Sequence, residues 1–175
     1  MAEMKISKLD AAKRQLETAV RLYFSEADPV SIHTLSAAAH SLLSDVNKSR
    51  AGVPMLTESL LQNVRRDKVD EAKRRLSAAA NFFKHADRDP EEVHAFNPAQ
   101  TEILLFDACF KYKDLTSEVV PTLAVYQAWF WLGPGADLVD VTQTKVIQRA
   151  RAVFPGATRG SFYAKVLPMV STLDL

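Results

Sequence analysis

The chain has 175 residues, 47% hydrophobic and 25% charged, with a net charge of +1. That is a globular composition with enough apolar residues for a core, and it excludes a disordered tail or a strongly basic nucleic-acid module. With 5 glycines and 8 prolines the chain has few turn-formers, and its one cysteine, Cys109, excludes an internal disulfide or a cysteine-built zinc site.

Ser7 and Asp10 have the spacing of a capping box, with Asp in place of the usual Glu. Leu9, Ala12, Leu16, Ala19, Val20 and Tyr23 then recur at three and four residues, which predicts a helix to about Ser25. Asp28-Pro29 restarts the chain as a second helix, with Asp as N-cap and Pro in the first turn. Ile32, Leu35, Ala39, Leu42 and Val46 form its apolar stripe, and Ala37, Ala38 and Ala39 admit a close neighbour. The short break between the two predicts an antiparallel helix hairpin.

Asn47 to Pro54, with Gly52, reads as a loop. Leu56, Leu60, Leu61 and Val64 suggest a short helix with Thr57 as its cap. The next helix is expected from about Lys68 to Ala86, on a face of Val69, Ala72, Leu76, Ala79 and Phe83, and it ends before Pro90. Asn97-Pro98 opens another, in which Ile103, Leu104, Leu105, Phe106, Ala108, Cys109 and Phe110 are apolar nearly all round, the pattern of a central buried helix. Val119 to Leu132 carries Tyr126, Trp129, Phe130 and Trp131 and stops at Gly133-Pro134-Gly135. Two shorter helices, Thr142 to Val153 and Thr158 to Val170, close the chain. The expected fold is therefore all-α, a single domain over residues 1–175, built as a bundle of about seven helices.

The even net charge hides three segments. Residues 1–86 and 141–175 each carry +4, and residues 87–140 carry −7. Packing of opposite segments within one fold explains this, and so does a complementary contact between subunits or a basic surface for an anionic partner. Met1 to Leu9 lacks the apolar run of a signal peptide, and Val119 to Leu132 is broken by Pro121, Thr122 and Gln127 and is too short to span a membrane. A cytoplasmic protein with no membrane partner is expected.

Chemistry-bearing residues are few. His33 and His40, seven apart on one helix, lie ~10.5 Å apart along its axis, too far to share an ion. Glu91 and His94 have the spacing used in di-iron bundles, but a single such motif between Pro90 and Pro98 builds no site. No metal and no cofactor are expected. Cys109 sits among apolar residues, where a thiol is inert packing. Arg65, Arg66, Lys68, Lys73, Arg74 and Arg75 form the densest basic stretch, interleaved with Asp67, Asp70 and Glu71, and read as a solvated, self-paired helix face.

Asn81 and His85 lie four apart, about one helical turn, and can face the same way. This fragment and the paired helices before it resemble HEPN domains, helical bundles many of which are nucleic-acid-associated and some of which are metal-independent RNases. The family's pattern is an Arg followed four to six residues later by His, often with Asn directly after the Arg. Here Ala80 stands where that Arg would be, and Arg75 is ten residues before His85. The resemblance implies Asn81, His85 and Arg88 as the polar cluster to test. The opening from Lys8, the stretch from Asp28, and Asn81 to Pro90 also resemble a group of bacterial proteins of unknown function, which implies a bacterial source and no activity.

The functional expectation is a non-enzymatic, homo-oligomeric binding or scaffold domain, most simply a homodimer. An RNA-binding or RNase-related protein is the alternative, with nucleic acid the less favoured partner. A small-molecule pocket among the aromatics of 126–131 is allowed by the sequence without being argued by it.

Overall fold

A computed structural model describes residues 3–62, 64–87, 90–133 and 152–172. Among these residues the fold is all-α, with no strand: α1 (Lys8–Phe24), α2 (Pro29–Ser49), α3 (Leu56–Gln62), α4 (Val69–Phe82), α5 (Ala99–Thr116), α6 (Pro121–Leu132) and α7 (Arg159–Ser171). A 3-10 turn, Arg66–Lys68, leads into α4. The helix expected over Thr142 to Val153 lies almost wholly outside the described residues.

Local chemistry starts the first two helices. Ser7 Oγ accepts from the Asp10 N–H at 3.0 Å, and the Ser7 N–H reaches the Asp10 carboxylate at 3.3 Å, closing the capping box. Asp28 accepts from the Ser31 N–H at 2.8 Å, with Pro29 in the first turn. Thr158 caps α7 in the same way through the Ser161 N–H.

The core joins α1, α2, α5, α6 and α7. From α1 it takes Ala12, Leu16, Ala19, Val20, Tyr23 and Phe24; from α5, Leu105, Phe106, Ala108, Cys109 and Tyr112. Ala37 and Ala39 of α2 are buried, as small residues at a close helix contact must be. The ring of Tyr23 meets Tyr126 edge-on at 5.1 Å, and Phe24 meets Trp129 at 6.0 Å and Tyr163 at 4.7 Å, so aromatic contacts fasten α1 to α6 and α7. Glu102 of α5 ties the same corner together. It accepts from Tyr23 Oη at 2.8 Å and from Arg159 at 3.2 Å, while the Arg159 guanidinium lies 4.0 Å above the Tyr23 ring.

Three residues depart from their expected burial: Leu60 of α3 is exposed, as are two others. Phe110, one of the all-round apolar run, is 55% exposed, and Leu76, central to the α4 stripe, is 53% exposed. α5 is covered by α1, α2 and α6 on most sides, but the direction of Phe110 falls outside them. α4 touches α2 and α3 only lightly, so part of its apolar stripe faces water.

Candidate functional site

Asn81 and His85 sit at the C-terminal end of α4, both exposed, and line one open depression together with Phe82, Asp87, Glu92 and His94. Arg88 lies outside the described residues. The depression measures about 530 Å³, the size of a small-molecule pocket, but its chemistry is polar: two imidazoles, two carboxylates and a carboxamide over the Phe82 ring. α4 ends at Phe82, short of the expected Ala86, and a single closing turn, in which the His85 N–H donates to the Asn81 carbonyl at 3.1 Å, brings the two residues to the same depression. The Asn81 amide reaches Ser77 Oγ at a long 3.5 Å. The His94 ring stacks on Phe82, centroids 5.2 Å apart, and thereby closes the opposite wall.

The nearest preceding guanidinium does not complete a phosphate site. Arg75 donates to Glu71 at 2.6 Å on the exposed face of α4. Lys68 also pairs with Glu71, and Arg65 with Asp67 at 2.7 Å. Much of the basic stretch is thus neutralised locally.

The strongest polar constellation is elsewhere, and sequence reasoning passed over it. Asp107 stands in the middle of the apolar run of α5 and is 1% exposed. Its carboxylate accepts from the backbone N–H groups of Leu56 at 2.9 Å and Thr57 at 3.0 Å, from Thr57 Oγ1 at 2.8 Å, and from His40 Nε2 at 3.0 Å. Burial by itself would raise this carboxyl's pKa, but the hydrogen bonds from His40 and from the Thr57 and Leu56 N–H groups outweigh it and hold it below the usual carboxylate range. Asp107 is in effect the cap of α3, delivered from another helix. The residue at the start of α3, Met55, has no side-chain acceptor to offer. Thr57 is therefore inside the first turn rather than at the cap, and its hydroxyl donates to Asp107.

Carboxylate, imidazole and hydroxyl meet here, yet the arrangement is not that of a nucleophilic triad. In a triad the imidazole stands between acid and hydroxyl, one on each ring nitrogen. Here Thr57 Oγ1, at 3.1 Å, and Asp107 both address the same nitrogen, His40 Nε2, and the hydroxyl proton already points at the carboxylate. The cluster positions helices.

A second buried charge works in the same seam. Lys111, 3% exposed, donates at 2.8 Å to both the Val53 carbonyl and Asp114, and Asn47 Nδ2 donates to the same carbonyl at 2.9 Å. Glu58 accepts from the Met55 N–H at 3.1 Å and from Ser44 at 2.8 Å, and pairs with Lys48 at 3.0 Å. The loop over residues 50–55 and the start of α3 are thereby pinned to α2 and α5. The signal for this seam was present: Asp107 and Lys111, four apart, interrupt the apolar part of α5 on one face.

Among the described residues no group of three or more His, Cys, Asp or Glu side chains is placed to hold a metal ion, and no helix is long and apolar enough to cross a membrane. The Cys109 thiol is fully buried, and that burial pushes its pKa up, away from the thiolate. Compared with models of known protein families, with curated proteins and with solved structures, the chain has no match.

Proposed function

We infer that this chain is a non-enzymatic binding or scaffold domain that works as a homo-oligomer, most simply a dimer. The observation that supports this reading is Phe110. It is a large aromatic side chain, more than half exposed, that stacks on Phe106 at 6.4 Å. Phe106 in turn stacks on Phe130 at 4.1 Å and meets Trp131 edge-on at 5.1 Å. Aromatic side chains of this kind, rigid and backed by a packed layer, are the usual anchors of protein interfaces. The buried carboxylate and ammonium groups support the same reading, because their hydrogen bonds hold α2, α3 and α5 together and are not directed into an open cleft.

An RNA-binding or RNase-related protein is the second reading, supported by Asn81, His85 and His94 around one open depression. Asp87 and Glu92 in the same depression oppose it, since carboxylates repel a phosphate backbone.

Light scattering across a size-exclusion peak, with absorbance recorded at 260 and 280 nm, separates the two. Self-association predicts a dimer mass free of nucleic-acid absorbance, reduced to a monomer by Phe110→Lys with an unchanged circular dichroism spectrum. A monomer at all concentrations sinks the oligomer reading. Co-purifying RNA that salt strips away favours the second, with His85→Ala as the variant to follow.

A further inference from the structure

His33 of α2 is a titratable side chain that neither reading above uses. Its ring is 2% exposed; Nδ1 pairs with Thr101 Oγ1 of α5 at 2.9 Å, and Nε2 makes no hydrogen bond among the described residues. The ring is closed in by Phe96 at 5.1 Å and Phe83 at 5.8 Å, both edge-on, and Phe83 also meets Phe96 at 5.2 Å and His94 at 6.5 Å. Phe96 and His94 belong to residues 90–98, whose Glu92 and His94 line the depression.

We propose that His33 is a proton-operated latch: neutral, it seats the segment 90–98 through Phe96, and protonated, it releases that segment. The geometry requires this direction. A buried imidazole with one nitrogen lacking an acceptor is tolerable when neutral, in the tautomer that donates from Nδ1 to Thr101 and leaves a lone pair on Nε2. On protonation it becomes an N–H donor and a full charge with nothing to receive it. The groups that face it offer no compensation. From α5 comes the hydroxyl of Thr101, from the end of α4 the Phe83 ring and the Lys84 ammonium, and from residues 90–98 the Phe96 ring and titratable His94. The two groups acting electrostatically on His33, His94 and Lys84, are both bases and have no negative charge to offer. Burial first, and these two neighbours after it, hold its pKa below the ordinary 6.5.

The folded state therefore binds fewer protons than the opened one. The latch is fully closed above 6.5 and loosens as pH falls from there toward the depressed value. Within that window one extra proton bound on opening raises the open-to-closed ratio about tenfold per pH unit. Opening bares Phe83 and Phe96 and removes the His94 wall of the depression, so acidification would change the surface that carries Asn81 and His85.

Ring-proton NMR shifts of Phe83 and Phe96, which lose each other's ring and that of His33 on opening, test this on the whole chain between about pH 7 and 5. Opening that steepens below 6.5 in the wild type, stays flat in His33→Gln and persists in His94→Gln supports the latch. An unchanged slope in His33→Gln, or no response in the wild type, overturns it. Should His33→Gln fail to fold, the wild-type His33 ring proton followed by NMR decides: a midpoint at or above 6.5 overturns the latch, and one below it that coincides with release supports it.

Discussion

Replacing Asp107 by Asn removes one charge and turns one acceptor oxygen into an NH2 donor, and the structure sets the consequence. Asp107 receives four donors: one oxygen takes the Leu56 N–H, and the other takes the Thr57 N–H, the Thr57 hydroxyl and His40. A carboxamide in the same place has one acceptor oxygen. If that oxygen serves the Thr57 side, the new NH2 group confronts the Leu56 N–H, donor against donor, and a buried unpaired donor costs about 1–3 kcal/mol. The remaining bonds fall from charge-assisted strength, roughly 1.5–3 kcal/mol each, toward the neutral range of about 0.5–1.5 kcal/mol. Relief from burying a charge offsets part of this. A net loss of about 2–4 kcal/mol follows, which at a urea slope of roughly 2 kcal/mol per molar shifts the midpoint down by about 1–2 M.

Urea unfolding followed by circular dichroism measures that shift directly, and its pH dependence gives a second reading on the same group. The Asp107 pKa is lowered on folding, so its contribution is present above the ordinary value of 3.8 and is lost as pH falls below it. The wild type should therefore lose stability faster than Asp107→Asn in that acid range. A midpoint change equivalent to less than about 1 kcal/mol, with parallel acid limbs, would refute the claim that this carboxylate holds α3 in place.

Three further outcomes can be checked with the same preparation. Gly52→Ala places a Cβ against Asn47 Oδ1, and because Asn47 is buried and holds Val53 it cannot simply swing away; a loss of about 1–2 kcal/mol in urea is expected. Ser117 ends α5 in the left-handed conformation, φ 56°, so Ser117→Gly should raise the thermal midpoint, by up to about 1 kcal/mol in stability. Burial raises the pKa of Tyr23, Tyr112 and Tyr126 above 10, with Glu102 adding to it at Tyr23 and Glu118 at Tyr112. The folded state thus holds their protons more tightly than the unfolded one, and stability falls as pH rises past 10; absorbance at 295 nm should show these three phenols ionising only together with unfolding.

Helix starts built from neighbouring residues were readable because the chemistry is local. Ser7 with Asp10, and Asp28 with Pro29, carry their caps within three residues, and both caps form where the spacing put them. The start of α3 could not be read that way, since its acceptor is 50 residues away on α5. Thr57 is the right residue type beside the right helix, but the local pattern cannot reveal a better acceptor arriving from another element. Burial was readable where a helix has one apolar face, as in α1, whose periodic residues Ala12, Leu16, Ala19, Val20 and Tyr23 are all buried. In α5 nearly every direction is apolar, so periodicity carries no information about which side is left uncovered, and Phe110 emerges only once α1, α2 and α6 are in place.

The candidate sites divide along the same line. Asn81, in the last turn of α4, and His85, just past it, line one depression because a single hydrogen-bonded turn joins them, and both are exposed. Asp107, Lys111 and His33 announced themselves only as polar interruptions in apolar or small-residue stretches, a signal that says a partner must exist without saying which. For Asp107 the partners are donors from α2 and α3, so its charge is compensated and serves the fold. For His33 one nitrogen is compensated by Thr101 and the other is not. A fully paired buried charge resists change in either direction, whereas a half-paired neutral imidazole has a state in reach, one proton away, that its surroundings cannot accommodate. That asymmetry is why sensitivity to pH near neutrality is expected at His33 and not at Asp107.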